Sequence, residues 1–446
     1  MKVVHIPFCF YPDPVGGTEI YVEALAHNLL DLGVESVIAA PSASQEKESQ
    51  GQTPSLKVRS FAVAAESVEL LREMYGTGDP VAAARFGRIL DEEQPNLVHL
   101  HAFTRGASLL VVREAKRRGL PVVFTYHTPT ASCARGTLLR QGREVCEGTL
   151  DRRTCVRCAL HGLGLNGTRG QLLSMLPPAA GRVIGAARLE GGGWTALRMS
   201  ELVQLRHNAF RALMREVDSV VALSRWSEEL LLRNGVPPEK ITRSRHGLTQ
   251  AVMDTGAVAD QQEFDERPLR IAFLGRTDPT KGADTLIQAL RLRPRLAVQL
   301  DLYGIMQGTS SNGYFDNLKQ LAGTDARINF LPAVPAAQVV TLLQKYHLLA
   351  VPSRWLETGP LVVFEAFAAG RPVLGSKLGG LGELIEDGRN GLLVEAGDVA
   401  AWAEALERLA DDRVLLKHMQ ANVRPPRQMS DVAVEMKTLY HQLVRN

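Results

Sequence analysis

With 446 residues, 45% of them hydrophobic and 22% charged, the chain is too long for one ordinary core and has the composition of a globular protein, so two sizeable domains are expected. A formal charge of +3 gives no reason to expect a nucleic-acid partner. No uninterrupted apolar run reaches the ~18 residues that cross a bilayer, which points to the cytoplasm, where a reducing milieu disfavours disulfides.

The opening MKVVHIPFCFYPDPVGG has one lysine and a short apolar run broken by His5 and Pro7, a poor leader and a good first strand. Cys9 reads there as a small core residue. Further candidate strands are SVIAAP, NLVHLH, PVVFTYH, SVVALS and KITRSRHG, with helical patterns such as TEIYVEALAHNLLDLG between them. In that helix Ile20, Leu25, Leu29 and Leu32 are expected near one face, and Gly33 ends it. Gly16 and Gly17, between strand and helix, would let a phosphate or sugar approach the backbone, and they also suit an ordinary turn. His99, His101 and His127 close strands. His127 can meet a sugar hydroxyl or a reaction-centre carbonyl, or be a structural histidine satisfied by its neighbours.

Four of the five cysteines follow in the pattern C-x12-C-x8-C-x2-C: Cys133, Cys146, Cys155 and Cys158. Four thiolates would close one tetrahedral structural Zn²⁺ site, with unligated thiols, a disulfide or another metal as the other readings. Arg135, Arg140, Arg143, Arg152, Arg153 and Arg157 surround them, and LLSMLPPAAGRVIGAARL lies beyond. This insert, about 128–205, is expected to shape an acceptor site. Its basic and apolar residues suit an anionic membrane face or a lipid-diphosphate acceptor, and a solvated basic loop is an equal reading.

Residues 249–268 lack an apolar period and are expected to link residues 1–248 to a second domain at 269–424. The second series of strands is RIAFLG, VQLDLYG, INFLPA, LLAVPS, RPVLGS and GLLVE, and residues 425–446 form an amphipathic helix expected to fold back on the first domain. Short apolar runs alternating with helices mean parallel sheets covered on both faces. Two such open α/β domains, doubly wound and facing a cleft, bind ligands beyond the carboxyl ends of their strands.

At those ends in the second series stand FLGRTDPTKG and SRWLETGPLVVFEAFAAG. Thr358 is a candidate cap, Pro360 suits a first helical turn, and the helix is expected to begin near Gly359. The free amides of Gly359, Leu361 and Val362 and the positive helix end would then receive a diphosphate. Arg276 and Lys281 would grip its oxygens and stabilise charge on a leaving nucleotide. Glu365 and Glu357 can each accept from vicinal hydroxyls. Taken singly, the glutamates also read as solvated helix-end acids and the cations as a solvated loop.

Taken together, PVGGTE, HT after a strand, GRTDPTKG and the run from 353 to 398 resemble the retaining glycosyltransferases of family 4, with the GT-B fold of two Rossmann-like domains. The resemblance covers nearly all of the second domain and scattered motifs of the first. It implies a transferase moving a sugar from a nucleotide-sugar donor, with retention and without a catalytic metal, to a glycan or lipid-linked acceptor. By the same resemblance Arg276 and Lys281 would hold the donor diphosphate, Glu365 the ribose and Glu357 the transferred sugar. His127 would lie near that sugar and the acceptor, and Gly16 and Gly17 on the phosphate side. Pro332 stands where the family often has glycine, in a loop that tends to flank the base, so the base is not named. The rivals are another activity on the same fold, such as a sugar-nucleotide epimerase or a phosphorylase, and a non-catalytic binding protein using the cysteine module.

Overall fold

The computed structural model describes residues 1–11, 16–42, 56–67, 69–189, 191–248, 268–305 and 310–445, and of 305 and 310–312 the backbone alone. Up to residue 267, the expected linker at 249–268 lies outside them. The chain divides into two compact units, residues 1–245 with 432–446, and residues 246–431. Among the described residues no helix is long and apolar enough to cross a membrane.

The first unit holds a parallel sheet of seven strands: β1 Lys2–Ile6, β2 Glu35–Ser42, β3 Lys57–Ala62, β4 Leu97–Leu100, β5 Val122–Tyr126, β8 Ser219–Ala222 and β9 Ile241–Arg243, in the order β3-β2-β1-β4-β5-β8-β9. A separate antiparallel pair, β6 Leu139–Arg140 and β7 Glu144–Val145, belongs to the insert. Strands β1, β4, β5 and β8 are buried or nearly so along their whole length, which is why they read as continuous apolar runs. Strand β3 was not expected. Its sequence KVRSFA is polar at one end because it forms the sheet edge, where Lys57 and Arg59 pair with Glu93.

The helix after β1 spans Gly17–Asp31 and ends at Leu32, with Gly33 at φ +76°. Its buried stripe is Tyr21, Val22, Leu25 and Leu29, whereas Ile20, expected inside, is 36% exposed. Tyr21 takes the inward position by packing its ring edge-on against His127, with centroids 4.9 Å apart. The closing helix, Met429–Arg445, joins this unit from Val432 onward. Tyr440 Oη lies 2.6 Å from His99 Nδ1, and Lys437 Nζ donates to the Leu32 carbonyl at 2.7 Å.

The second unit repeats the plan in six strands: β10 Leu269–Arg276, β11 Val298–Ile305, β12 Ile328–Leu331, β13 Leu348–Val351, β14 Val373–Ser376 and β15 Gly391–Val394, ordered β12-β11-β10-β13-β14-β15. Period-two alternation along β10 builds both faces. Leu269, Ile271 and Phe273 enter a core with Leu300, Leu302 and Trp402, while Ala272 faces the opposite core of Leu349, Val351, Val363 and Ala366. Both sheets reverse strand order at their first strand. Carboxyl-end crevices in such sheets open at that reversal: beside β1 and β4 in one unit, beside β10 and β13 in the other.

Candidate functional site

In the second unit β10 pairs with β13 only at Ile271–Leu348 and Ala272–Leu349, then runs on to Arg276 while β13 stops at Val351. The loops leaving the two strands fill the space beyond. After β10, Asp278 accepts from the Thr280 amide at 2.8 Å and starts a single 3-10 turn, Pro279–Lys281. Gly282 closes it at φ +73°, and a Cβ there would stand 2.1 Å from the Pro352 carbonyl oxygen. The Arg354 amide donates to the Thr280 carbonyl at 2.7 Å. A left-handed glycine and a cross-loop hydrogen bond thus dock the Lys281 turn on the segment after β13.

That docking joins two of the expected residues. Lys281 Nζ lies 2.6 Å from Glu357 Oε1, which also accepts from Ser353 Oγ at 2.7 Å. Burial alone would raise the Glu357 carboxyl, but the Lys281 charge and the hydrogen bonds outweigh it and hold the group below its ordinary range. Arg276 has no carboxylate partner among the described residues. Its guanidinium carbon sits 5.9 Å from the centre of the Trp355 ring, and Lys281 Nζ sits 5.3 Å from the same ring. Trp355, which sequence reasoning missed, is the surface that brings both cations together; its place in SRWLE, just past a strand end, was the available signal. Gly380 donates its amide to the Glu357 carbonyl at 2.7 Å and steadies the loop from behind.

The following helix spans Leu361–Ala368, two residues later than expected, and Pro360 rather than Thr358 is the residue at its cap. Proline brings no side-chain cap hydrogen bond of its own. Val363 N bonds to the Pro360 carbonyl, and the amides of Leu361 and Val362 stand in the first turn with no intrahelical acceptor. Gly359 passes so close to His246 that a Cβ would lie 2.0 Å from the ring. Glu365 is the fifth residue of the helix and half-buried, with no hydrogen-bond partner for its carboxyl among the described residues. Burial pushes that carboxyl up to about 7.

In the first unit Gly16 caps the helix, and its amide donates to Glu19 Oε2 at 2.8 Å. Gly16 has φ −119° and Gly17 opens the helix, so neither sits in the left-handed region that favours glycine. His127 is buried beyond β5 and does not act alone. Parallel register sets His5 beside His99, and His101 follows two residues on along the same face. A chain runs from Ser36 Oγ to His5 Nε2 at 3.3 Å, from His5 Nδ1 to His101 Nε2 at 3.1 Å, and from His101 Nδ1 to His127 Nε2 at 3.1 Å. His99 is held by Tyr440 and by Thr125 Oγ1, the latter at 2.7 Å. Burial lowers His5 to about 3, and burial and neighbouring imidazoles lower His99 and His101. His5, His99 and His101 also place three nitrogens within 4.8 Å of one another, as a metal site would. The hydrogen bonds already occupy both nitrogens of each of these three rings, and burial holds all three below the ordinary histidine range, so the set reads as hydrogen-bonded neutral imidazoles, with His101 bonded on to His127. The H-x-H spacing of residues 99 and 101 was the sequence signal for it.

Cys133, Cys146, Cys155 and Cys158 line one cavity of about 270 Å³ in the insert. All five cysteines of the chain are unbridged.

A model for the glycosyl transferase 4-like domain matches residues 16–245, and one for glycosyl transferases group 1 matches residues 255–425. D-inositol 3-phosphate glycosyltransferase of Nocardia farcinica is 39% identical over 194 residues, 41% of each chain. The chain thus spans about two fifths of the length of that relative. Among solved structures, sucrose-phosphate synthase from Thermosynechococcus elongatus superposes with a TM-score of 0.67 at 19% identity, covering 99% of this chain and 98% of that one. Anabaena HepE, solved with UDP and glucose, superposes with 0.65 at 17% identity over 99% and 100%. At such identities these likenesses show the fold, two parallel-sheet α/β domains of GT-B type.

Proposed function

Because the chain belongs to the glycosyl transferase 4-like family, we propose that it is a retaining, metal-independent glycosyltransferase that takes its sugar from a nucleoside-diphosphate donor. The observation that carries this reading is the meeting of Arg276, Lys281 and Glu357 around Trp355, beside the open amides of the helix Leu361–Ala368. The Arg276 guanidinium, without a carboxylate partner among the described residues, takes the diphosphate, and the helix amides supply further donors. Glu365, half-buried and without a hydrogen-bond partner for its carboxyl among the described residues, takes the ribose hydroxyls. Glu357 holds Lys281 in place in the ligand-free protein and reads the hydroxyls of the transferred sugar.

In the transfer step the bond from the anomeric carbon to the diphosphate oxygen breaks, and its electron pair leaves on the phosphate. Arg276 and Lys281 stabilise that charge. The acceptor hydroxyl bonds to the same face of the anomeric carbon, and its proton passes to the departing phosphate oxygen. His127, hydrogen-bonded to His101, is assigned to the acceptor and the transferred sugar, and Gly16 and Gly17 to the phosphate.

The acceptor is a glycan or a lipid-linked sugar, and the protein works in the cytoplasm at the inner membrane face. Supporting the membrane contact, Leu172, Met175 and Val183 of the insert are 68%, 59% and 71% exposed. Residues 152–198 carry seven arginines against the single acid Glu190. Apolar side chains among exposed cations suit an anionic bilayer.

Incubating the protein with a panel of nucleotide sugars and candidate acceptors tests the reading. Transfer with retained anomeric configuration is expected. A C2-epimerised donor would indicate an epimerase, phosphate-dependent cleavage a phosphorylase, and no turnover with any donor a binding protein.

A further inference from the structure

The insert is poor in regular structure where its cysteines lie. Between Thr128 and Leu150 it has one three-residue turn, Pro129–Ala131, and the two-residue strands β6 and β7. A segment so short of core needs another source of order. Three pieces of it converge on one cavity. Cys133 follows the turn after β5, its amide bonded to the Pro129 carbonyl at 2.8 Å. Cys146 leaves β7 with its amide on the Leu138 carbonyl at 2.8 Å. Cys155 and Cys158 lie one turn apart on the helix Arg152–Gly162, so both present to one side. That helix is fixed from behind, where Val156 and Leu160 pack on Met199 and Val203 of the helix Gly192–Glu216.

The cavity is about 270 Å³, and Leu138 and Leu139 share its lining with the four cysteines. Burial and the neighbouring cysteines raise the Cys155 and Cys158 thiols, Cys155 to about 12, so without a cation they keep their protons. The Gln141 amide points at Cys158 Sγ, 3.2 Å away, and Arg135 Nη1 donates to the Cys158 carbonyl at 3.1 Å. We propose that Cys133, Cys146, Cys155 and Cys158 ligate a metal centre that staples the insert to the end of β5, outside the transfer chemistry. Binding converts four thiols to thiolates and releases their protons.

The shared chemistry, four thiolates on metal, fits one zinc ion or one iron–sulfur cluster. A zinc ion with bonds of about 2.3 Å would hold each pair of sulfurs about 3.8 Å apart. No three of these sulfurs lie within 4.8 Å of one another among the described residues, so zinc would draw them inward. A four-iron cluster, with one cysteine on each corner iron, would leave them spread around the cavity.

Metal and acid-labile sulfide analysis of the full chain, purified without oxygen, tests this and needs no substrate. Failure here leaves the transfer reading untouched. About one zinc per chain without sulfide, or about four irons with as much sulfide, is the expected result. Cys155→Ser and Cys158→Ser should lose the metal about tenfold, while Cys9→Ser keeps it. Should those variants fold poorly, cobalt titrated into the metal-stripped wild type should give a thiolate-to-metal charge-transfer band. Under ~0.1 equivalent of either metal, both as purified and after reconstitution with zinc or with ferrous iron and sulfide, would overturn the proposal. So would full metal retention in Cys155→Ser.

Discussion

Lys281 and Glu357, 76 positions apart in sequence, meet at 2.6 Å between Nζ and Oε1. The pair is mostly buried, with 21% of the lysine and 10% of the glutamate side chain exposed. Removing one partner leaves the other charge stranded in a poorly solvated place. Lys281→Ala is therefore expected to cost about 3 kcal/mol of stability, the low end for a buried pair because the lysine keeps some solvent. It should also slow transfer by at least ~100-fold if the ammonium stabilises the departing diphosphate. Denaturant unfolding and steady-state kinetics read the two effects separately, and unchanged turnover in a folded variant would remove the assigned role.

The same pair sets an acid response. The Glu357 carboxyl sits below its ordinary value in the folded chain, so its charged form favours folding above the unfolded carboxylate range, about pH 4.3, and that contribution fades as pH falls through the lowered value. In Lys281→Ala only the hydrogen bonds from Ser353 and Trp355 still oppose burial, and the carboxyl takes its proton at higher pH. Acid unfolding followed by circular dichroism should begin at higher pH in the variant than in the wild type.

Glu365 behaves in the opposite way. With its carboxyl raised to about 7, the folded chain holds a proton that the unfolded chain has lost, so stability should rise as pH drops from about 7 to about 4.3. Hydroxyls donated by a ribose favour the charged form, so nucleotide binding near pH 6 should release a proton. Calorimetry in buffers of different ionisation heat should detect that release in the wild type and not in Glu365→Gln. Equal proton release in both proteins would place the ribose elsewhere.

Gly282 tests the docking of the two loops. Alanine there meets the Pro352 carbonyl at 2.1 Å and a positive φ at once, and neither strain is relieved by rotating a side chain. A loss of more than about 1 kcal/mol in thermal unfolding is expected, together with weaker nucleotide binding. Gly388→Ala, also at positive φ but with nothing within 4 Å of a Cβ, supplies the control for the conformational part alone.

For the membrane contact, Arg169, Arg182 and Arg188 are all exposed on the insert. Replacing all three with serine should weaken binding to anionic vesicles by roughly 100-fold, at about 1 kcal/mol for each cation near the surface. Added salt should weaken the wild type in the same direction. A wild type that stays with the protein-only fraction in flotation would exclude the contact.

How far the sequence carried differs between elements, for physical reasons. The central strands of both sheets were legible because burial on both faces leaves no polar alternation to confuse them, as in LLAV and VVFTY. The edge strand Lys57–Ala62 was not, since one margin faces solvent and carries paired cations. Arg276, Lys281 and Glu357 could be picked from their strand-end positions, but the ion pair between the last two depends on a glycine turn meeting a distant loop. Ile20 and Tyr21 compete for one helical face, and Tyr21 turns inward, where its ring meets those of His101 and His127. The imidazole chain behind His127 is signalled only in part by the H-x-H spacing, since His5 joins it through strand register.

Sugar transfer of this kind requires a nucleoside diphosphate to be held at the carboxyl end of β10. Isothermal titration of UDP, ADP and GDP into the wild type and into Arg276→Ala measures that directly. Saturable binding of at least one of them is expected, weakened about tenfold or more, near 1.4 kcal/mol, by the substitution. Equal affinity in the two folded proteins, or no binding of any of the three to the wild type, would contradict it.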